Sequence, residues 1–505
     1  MNIRRSRTPL LSSVRELIRI SGSNSENISR REFLKRSATA AAVIAATAYL
    51  PRNAFAKDPP RIAIVGAGIA GLNAAYSLRK AGIIAKVYEG SSRTGGRIFT
   101  AKNVLADGLT TEFGGEFIDS DHSEMLALAH EFGLELRDRK DSSSLKRAYL
   151  FGGKLRTESE VISAINPYLE KIRSDADSLP KYFDFENPGN ASTLDRLSLA
   201  EYFGKLEISG WIKDLLETAY VTEYGLELAE QSALNLITLI SSDISRGFEI
   251  FGSSDERYVT RGGNSRFTEE LSARLPDQID LSHKLESIRS KDTGFTLTFN
   301  ANDSAKDIHA DIVLLAIPFP ILREVEMKTE LPVWKRNAIH ELGYGSHTKV
   351  MTGFTKRLWH DGGYTGEIFS DESFQLAWDN SQLQPGDPGG LTSFTGGNLA
   401  TEAGKGTAGF QSEKFIKELR NIFPGAAEAS TGKNARFNWT TNPFTKGSYS
   451  VYKPGQWTTI RGAERKSVGN LFFAGEHTSL EFQGFMNGGA ETGKKAAEEI
   501  LTLLK

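Results

Sequence analysis

The chain has 505 residues, more than one simple core usually holds, and this length predicts two closely packed domains. Hydrophobic residues make up 39% and charged residues 25%, as in ordinary globular enzymes, and a net charge of −2 without a basic patch argues against nucleic acid as a partner. Cysteine is absent, which excludes disulfides, thiolate metal sites and a cysteine-tethered cofactor, and no metal site is predicted.

Residues 1–56 have the pattern of an export signal. Arg30 and Arg31 precede an apolar run over 38–50, and Ala-Phe-Ala at 54–56 offers a small-x-small cleavage site. The paired arginines resemble a bacterial twin-arginine signal, so we expect the twin-arginine export machinery as a partner and a periplasmic or secreted location. An uncleaved membrane anchor is the alternative, but the apolar run is short for a bilayer span, and no stable span is expected after cleavage.

A β-α-β unit is predicted directly after this segment. Residues 61–65 form a short β-rich run, apolar residues over 69–80 recur at helical spacing, and residues 84–88 predict a second strand. A unit of about 30 residues with this order is the usual start of a dinucleotide-binding domain.

The turn between the first strand and the helix has the sequence G-x-G-x-x-G. Gly66 permits a tight turn, Gly68 lets the backbone approach a pyrophosphate, and Gly71 lets the helix pack closely on the strand. Ala67 belongs to the same loop. Glu89 ends the second strand, where a carboxylate accepts both ribose hydroxyls and would repel a 2′-phosphate. The turn therefore predicts a dinucleotide site.

A second glycine-rich element, Gly95-Gly96-Arg97, follows soon after. Its glycines bring the backbone to a phosphate, and Arg97 can neutralise that phosphate. Nicotinamide-binding folds do not need this element, so it disfavours a nicotinamide dehydrogenase.

The rest of the chain alternates between helical and β patterns. The predicted helices cover 123–132, 158–177, 208–222, 229–240 and 490–504. The predicted strands cover paired segments within 280–299, a buried strand over 311–316, a second sheet from 349–354 and from segments between 364 and 395, and a strand at 471–473. This alternation predicts two discontinuous domains: a cofactor domain from 57–122, 255–320 and 460–505, and a substrate domain from 123–254 and 321–459.

Five motifs together resemble the flavin monoamine oxidase family, which includes monoamine, polyamine and L-amino-acid oxidases. They are Gly66–Gly71, Glu89, Gly95–Arg97, Phe113–Glu116 and Ala474–Glu476. The likeness extends from Arg61 to the end of the chain. It implies an α/β fold in which a Rossmann-like FAD-binding domain is interleaved with a substrate domain of mixed sheet and helices.

The resemblance also implies a role for each cofactor residue. Glu89 would hold the adenosine ribose, Arg97 the phosphates and Glu476 the ribityl–pyrophosphate region. Met486 would present its backbone N–H near the flavin N1–C2=O edge, and Leu285 lies in the strand that normally contacts adenine. The implied set is completed by Gly114, Gly115, Glu116 and Gly475. Ser448 stands where some relatives carry a flavin-linked cysteine, so non-covalent FAD is expected.

Four residues are implied at the reacting face. Lys349 stands where the family keeps a lysine that contacts flavin N5 through water and assists the reaction with oxygen. Tyr449 and Phe485 match two rings that flank the substrate nitrogen, and Trp439 precedes Tyr449 at the family's spacing. A solvent-facing lysine and ordinary core aromatics are the alternatives.

The substrate is less well defined by the sequence. Asp119 is a candidate for meeting a distal ammonium, whereas Asp121 or Ser123 could instead cap the following helix. An amino-acid substrate would need an arginine for its carboxylate, and the candidates are Arg147, Arg246 and Arg257.

The resemblance therefore implies an FAD-dependent oxidase acting on a primary amine or an L-amino acid, with O2 as acceptor and H2O2 as product. A polyamine oxidase, a desaturase of the same fold and a flavin-binding protein without turnover remain as alternatives.

Overall fold

The computed structural model of the chain describes residues 59–142, 145–244, 247–291 and 293–505. The predicted export signal over 1–56 and the candidate Arg246 lie outside the described residues. Residues Ile62–Lys505 form one compact unit.

The described residues form strands of two to nine residues. In chain order these are β1 (Ile62–Val65), β2 (Ala85–Tyr88), β3 (Thr100–Lys102), β4 (Thr110–Glu112), β5 (Leu136–Asp138), β6 (Lys146–Phe151), β7 (Lys154–Arg156), β8 (Tyr258–Thr260), β9 (Ile279–Asp280), β10 (His283–Lys291), β11 (Gly294–Ala301), β12 (Ser304–Ala310), β13 (Ile312–Leu315), β14 (Glu326–Lys328), β15 (Gly343–Tyr344), β16 (His347–Phe354), β17 (Tyr364–Ser370), β18 (Leu376–Asp379), β19 (Gly389–Gly396), β20 (Ser430–Asn438), β21 (Ser450–Val451) and β22 (Leu471–Phe473).

Helices connect and cover these strands. In chain order they are α1 (Ile69–Lys80), α2 (Ser123–Phe132), α3 (Glu158–Ser178), α4 (Ala191–Asp195), α5 (Leu199–Lys205), α6 (Trp211–Tyr224), α7 (Leu234–Ile237), α8 (Ser265–Ala273), α9 (Phe319–Leu322), α10 (Val333–Glu341), α11 (Leu358–Asp361), α12 (Gly397–Ala403), α13 (Ala408–Leu419), α14 (Ala426–Ala429), α15 (Gln456–Thr459) and α16 (Met486–Leu503), with 3-10 turns at Arg139–Ser142 and Glu476–Thr478.

A parallel sheet joins segments from both ends of the chain. Its order is β22-β13-β1-β2-β9, and every neighbouring pair is parallel. The central strand β1 is buried along its whole length, as expected for a strand covered on both faces. A Cβ on Gly493 of α16 would lie 2.1 Å from the Ala70 carbonyl oxygen of α1, so glycine lets these two helices pack closely. The predicted Rossmann-like sheet is confirmed.

A larger sheet is built from the middle of the chain. Its order is β20-β16-β19-β18-β17-β6-β7, and a separate four-stranded sheet has the order β12-β11-β10-β14. Helices α3, α5, α6 and α7 share a hydrophobic core with β6 and β17. The predicted second sheet and helix-rich region are therefore confirmed, whereas the division into discontinuous domains stays a prediction.

Three predicted helices differ clearly from the structure. The helix predicted over 208–222 covers Trp211–Tyr224 instead. Within residues 229–240 the structure has only the short helix α7. The chain before α7 bonds to distant groups instead of to a helical neighbour. The backbone N–H of Ser232 donates to the Tyr452 carbonyl, and the side-chain amide of Gln231 donates to the Tyr220 carbonyl. The last helix begins at Met486 rather than 490. None of the helices in the described part of the chain combines the length and hydropathy needed to cross a bilayer.

Candidate functional site

A cavity of about 590 Å3 opens at the carboxyl ends of four strands of the parallel sheet. Val65, Glu89, Ala316 and Gly475, which end or follow β1, β2, β13 and β22, all line it. Ligands of open α/β sheets bind at this edge, and a cavity of this size holds a bound small molecule.

The cavity collects nearly all of the residues that the sequence predicts for the site. Those that line it are Gly66, Gly68, Glu89, Gly95, Gly96, Arg97, Gly114, Gly115, Glu116, Leu285, Lys349, Trp439, Tyr449, Gly475, Glu476, Phe485 and Met486. Ala67 and Gly71 lie behind its wall. Ala67 acts through its backbone, whose N–H donates to Glu89 Oε2 at 2.8 Å.

The glycines of the first turn are needed for different reasons. Gly66 has φ +104°, a conformation that costs other residues energy, and a Cβ on Gly71 would lie 1.9 Å from the Gly66 carbonyl oxygen. A Cβ on Gly68 would meet no chain atom within 4 Å. Gly71 is therefore required by packing, whereas Gly68 keeps open a space that belongs to the cavity.

These differences predict opposite outcomes for two alanine substitutions. We expect Gly71→Ala to lower the free energy of unfolding of the apoprotein by about 1–3 kcal/mol through overpacking. Gly68→Ala should leave the apoprotein as stable as the parent and weaken FAD binding. Chemical denaturation of both apoproteins and FAD titration measure the two effects, and tight FAD binding by Gly68→Ala would contradict the role given to this glycine.

Glu89 is already positioned by the loop around it. Its two carboxylate oxygens accept the N–H groups of Ala67 and Ser91, both at 2.8 Å. Each oxygen keeps a further lone pair, so the carboxylate can still accept ribose hydroxyls.

Arg97 joins the two ends of the chain at the middle of the cavity. Its Nη1 donates to Glu476 Oε1 at 2.7 Å and to the Ser448 carbonyl at 2.9 Å. Glu476 also accepts from the Ser450 hydroxyl at 2.8 Å and from the Gly484 N–H at 2.9 Å. Burial raises the pKa of Glu476, but the Arg97 charge and these hydrogen bonds outweigh it, and the pKa lies below its usual value.

A second arginine, Arg93, fixes the loop that carries Arg97. Its guanidinium donates to the carbonyls of Gly96 (2.6 Å) and Thr94 (3.0 Å) and lies 4.1 Å from the centre of the Phe99 ring. Because its contacts are with the loop itself, Arg93 sets the conformation of this predicted phosphate-binding element.

Lys349 is buried and fully engaged. Its Nζ donates to the carbonyls of Glu112 at 3.2 Å and Gly114 at 2.9 Å, and to Glu116 Oε2 at 2.9 Å. The other Glu116 oxygen accepts from Trp378 Nε1 at 2.8 Å. Lys349 lies in the cavity wall and its side chain is only 6% exposed, so it does not face bulk solvent; its part in the reaction with oxygen stays a prediction.

Tyr449 belongs to a stack of three rings that the sequence does not reveal. His347 lies between Tyr449 (centroids 4.8 Å apart) and Phe394 (4.6 Å), and all three line the cavity. Burial lowers the pKa of His347 to about 3, so the ring is neutral. Its Nε2 lies 2.8 Å from the Thr222 carbonyl and its Nδ1 2.6 Å from Ser448 Oγ, which fixes the stack.

The other predicted aromatic residues are held in different ways. Phe485 precedes α16, which begins without a side-chain cap, and its ring packs edge-on against His122 with centroids 5.1 Å apart. Trp439 donates its Nε1–H to the Phe113 carbonyl at 2.8 Å. The uncapped N-termini of α1 and α16 both meet the cavity, at Gly68 and at Phe485.

Two polar predictions near α2 need correction. Neither Asp121 nor Ser123 caps the helix; the N-cap residue is His122, and Asn487 Oδ1 accepts the N–H groups of Glu124 and Met125, both at 3.1 Å. Asp119 does not line the cavity, and its Oδ1 accepts the Glu256 N–H at 2.9 Å.

Of the arginine candidates for a substrate carboxylate, the two that the structure describes, Arg147 and Arg257, are not among the residues that line the cavity. Arg147 pairs with Glu367, and Arg257 binds Asp138 Oδ2 with both Nε and Nη2. Arg139, which the sequence does not single out, does line the cavity, and it donates to the Glu256 carbonyl at 2.8 Å.

Three glutamates on the cavity wall also escape prediction from sequence. Glu223 lies at the end of α6, Glu256 in the loop before β8 and Glu367 in β17. Burial, helped by the neighbouring Glu256 and Asp119, raises the pKa of Glu223 to about 8. Burial raises the pKa of Glu256 to about 7 although the Arg139 charge opposes it.

The residues present fit an FAD molecule. Two uncapped helix N-termini can meet phosphates, Glu89 has lone pairs for a ribose, and the glycines at 68 and 96 keep the wall free of side chains. The cofactor would then be held by the glycine loops, Glu89, Arg97 and Glu476, with the ring system beside Lys349 and Tyr449.

Comparisons with known proteins identify the family. Residues 69–501 match the model of the family described as flavin containing amine oxidoreductase. The chain is 27% identical over 464 residues to lysine-specific histone demethylase 1 homolog 1 of Arabidopsis thaliana, a match that covers 89% of the chain but only 53% of that protein. It is 26% identical over 460 residues to flavin-containing amine oxidase A of Sus scrofa, covering 88% and 85%.

Solved structures share the fold. Cyclohexylamine oxidase from Brevibacterium oxydans superimposes with a TM-score of 0.76 at 23% identity, over 88% of this chain and all of that one (100%). Putrescine oxidase bound to putrescine superimposes with a TM-score of 0.75 at 21% identity, over 88% of this chain and 99% of that one.

Proposed function

The chain belongs to the family of flavin-containing amine oxidoreductases, and from this membership we propose that it oxidises a primary amine or an L-amino acid. Bound FAD supplies the two-electron acceptor. The overall reaction is R–CH2–NH2 + O2 + H2O → R–CHO + NH3 + H2O2: the carbon next to nitrogen loses two electrons, and oxygen gains them. An amino acid would give a keto acid in place of the aldehyde.

One observation carries the proposal: a single cavity joins the dinucleotide loops to a buried lysine and an aromatic stack. Gly68, Lys349 and Tyr449 all line it. A dinucleotide site alone would suit many oxidoreductases, but the buried Lys349 beside the Gly114–Gly115 pair is what the oxidase resemblance requires. It disfavours the desaturase and non-catalytic alternatives.

The aromatic lining of the cavity favours the neutral form of an amine. Phe251, Phe369 and Phe394 line the same cavity as Tyr449, and desolvation by such groups lowers the pKa of an ammonium ion. Nitrogen then keeps the lone pair that must assist departure of hydride from the adjacent carbon. The Tyr449 hydroxyl donates to the Glu223 carbonyl at 2.6 Å, which fixes the ring in one orientation.

We propose that FAD is bound without a covalent link. Ser448 stands where some relatives attach the flavin, the chain has no cysteine, and the Ser448 hydroxyl is engaged by His347 and by the Gly345 carbonyl at 2.9 Å. Acid precipitation should therefore release all of the flavin into the supernatant.

Purified protein should be yellow, and a peroxide-coupled screen of monoamines, diamines and L-amino acids should find turnover. The apoprotein, prepared by removing FAD, is the matched control and should be inactive until FAD is restored. Colourless protein that added FAD does not rescue, or a yellow protein that forms no peroxide with any amine, would contradict the proposed function.

We also propose export by the twin-arginine route, supported by the pattern of residues 1–56. A cofactor loaded before export would suit a pathway that carries folded proteins. Fractionation of cells that express the full chain tests this, and enzyme confined to the cytoplasm would contradict it.

A further inference from the structure

The part of the cavity beyond Tyr449 contains three glutamates. Glu223, Glu256 and Glu367 reach it from a helix, a loop and a strand that are far apart in sequence. Three separate elements thus each bring a glutamate to the same cavity, and a carboxyl group that ionises there attracts a cation.

Only two of these three carboxylates have a cationic partner among the described residues. Glu367 Oε2 lies 3.0 Å from Arg147 Nε, and Glu256 Oε2 lies 3.4 Å from Arg139 Nη1. The Glu223 carboxylate makes neither a hydrogen bond nor an ion pair with any other described side chain. Of the three, Glu223 is thus the one whose carboxyl group has no cationic partner among the described residues.

An unpaired carboxyl group is costly in this setting. The pKa of Glu223 is raised to about 8, first by burial and then by the charges of Glu256 and Asp119. An arriving cation would bring the opposite charge that the protein itself does not supply, and would favour the ionised form.

The neighbouring Glu256 is held in a strained conformation. Its φ is +40°, in the left-handed region that L-residues avoid, and its backbone is fixed on both sides: its N–H donates to Asp119 and its carbonyl accepts from Arg139. Strain of this kind persists where the surroundings over-determine it, and it gathers at ligand sites.

We propose that the substrate carries a second cationic group at the far end of its carbon chain and that the Glu223 carboxylate receives this group, with Glu256 adding to the negative field. The inference rests on the proposed function and adds to it the substrate class. The shared chemistry is an oxidisable amine joined by an aliphatic chain to an ammonium or guanidinium ion, which either an α,ω-diamine or a basic L-amino acid provides.

The geometry places the two ends of such a molecule in one cavity. The Tyr449 hydroxyl bonds to the backbone carbonyl of Glu223, so the aromatic ring and the carboxylate belong to directly linked residues. Phe251 and Phe369, whose ring centroids lie 6.1 Å apart, line the same cavity and offer an apolar surface to methylene groups.

The test compares matched substrates on the FAD-loaded enzyme. One pair is pentylamine and 1,5-diaminopentane, and the other is L-norleucine and L-lysine; within each pair only the terminal cation differs. In at least one pair we expect the member with the terminal cation to have a kcat/KM about 10- to 100-fold higher, as for one charge-assisted hydrogen bond. Preference in the first pair identifies diamines, and preference in the second identifies basic amino acids.

Glu223→Gln should reduce that ratio to within a few fold of unity, mainly through KM. The matched control is Glu217→Gln, which removes a carboxylate from the same helix α6 at a position outside the cavity wall and should keep the ratio. FAD content of each variant verifies that the site is assembled.

Equal kcat/KM values within both pairs, or a ratio that survives in Glu223→Gln, would overturn the inference while leaving the amine oxidase function intact. Absence of peroxide from every substrate would instead contradict the proposed function. In that case binding still tests the inference. The compound with the terminal cation, unlike its matched partner, should raise the melting temperature of the FAD-loaded protein, and it should not do so in Glu223→Gln.

Discussion

Replacing Lys349 with methionine is expected to slow the reaction of the reduced enzyme with oxygen by about 10²- to 10³-fold, the usual effect of losing a preorganised charge at a reacting centre. Methionine keeps the length and apolar volume of the side chain but removes its charge. The ammonium group is held by Gly114, Glu112 and Glu116, so it presents a positive charge at a fixed position on the cavity wall. Negative charge that develops on oxygen would be stabilised there.

Two comparisons separate this effect from damage to the site. In Lys349→Met the affinity for FAD should fall far less than the rate of reaction with oxygen. The reason is that Lys349 donates its hydrogen bonds to carbonyls and a carboxylate of the protein itself. The methionine variant leaves the buried Glu116 without its cation, so the double variant Lys349→Met/Glu116→Gln should recover stability but not oxygen reactivity. Stopped-flow mixing of anaerobically reduced enzyme with oxygen gives the rate, and an unchanged rate in Lys349→Met would remove the role proposed for this residue.

Local signals in the sequence are sufficient to predict several helices and the glycine-rich loops of the fold. The helices over 69–80 and 123–132 begin and end where predicted, because apolar spacing coincides with strong end signals; α2, for example, ends at Gly133, which has φ +63°. The glycine loops are predicted for the same reason, since a tight turn and a close approach leave their mark within a few residues.

Features that depend on distant segments escape this reasoning. Asn487 caps α2 from more than 360 residues away, and no pattern near Asp121 or Ser123 shows that the helix N-terminus is already satisfied. Similarly, His347 gains its neutral state from burial between Tyr449 and Phe394, which is a property of the assembled sheet.

The three glutamates on the cavity wall, Glu223, Glu256 and Glu367, illustrate the same limit. Glu223 lies on a helix whose neighbouring positions are equally compatible with a solvent-facing glutamate, and only the tertiary structure distinguishes it from Glu217 on the same helix. Asp119, which the sequence offered as a candidate for meeting a distal ammonium, instead accepts the backbone N–H of Glu256. The chemistry at the cofactor is thus largely predictable from sequence, whereas substrate selection is not.

Arg97→Met is expected to lower the free energy of unfolding of the apoprotein by about 3–5 kcal/mol, the usual cost of removing one partner of a buried ion pair. Arg97 is the cation that balances Glu476, whose side chain is only 7% exposed. Without it, burial is no longer opposed by the largest favourable interaction, and the pKa of Glu476 should rise although Ser450 and Gly484 still donate hydrogen bonds to it. The variant should also lose FAD, because the predicted phosphate-binding charge is gone.

The pH dependence supplies an independent check on this ion pair. In the parent, the Glu476 carboxyl has a folded-state pKa below its unfolded value, so its contribution to stability is present above the unfolded pKa and is lost as the pH falls through the folded pKa. In Arg97→Met that contribution is absent, so the stability difference between the two proteins should be large at neutral pH and shrink under acidic conditions.

A double variant separates stability from cofactor binding. Arg97→Met/Glu476→Gln leaves no buried charge, so most of the lost stability should return, while FAD should remain weakly bound because neither residue can serve the cofactor. Urea denaturation of the apoproteins and fluorescence titration with FAD measure the two quantities. A double variant no more stable than Arg97→Met would show that packing of the guanidinium, rather than charge compensation, accounts for the stability that Arg97 contributes. Tight FAD binding by Arg97→Met would contradict the role of Arg97 in the cofactor site.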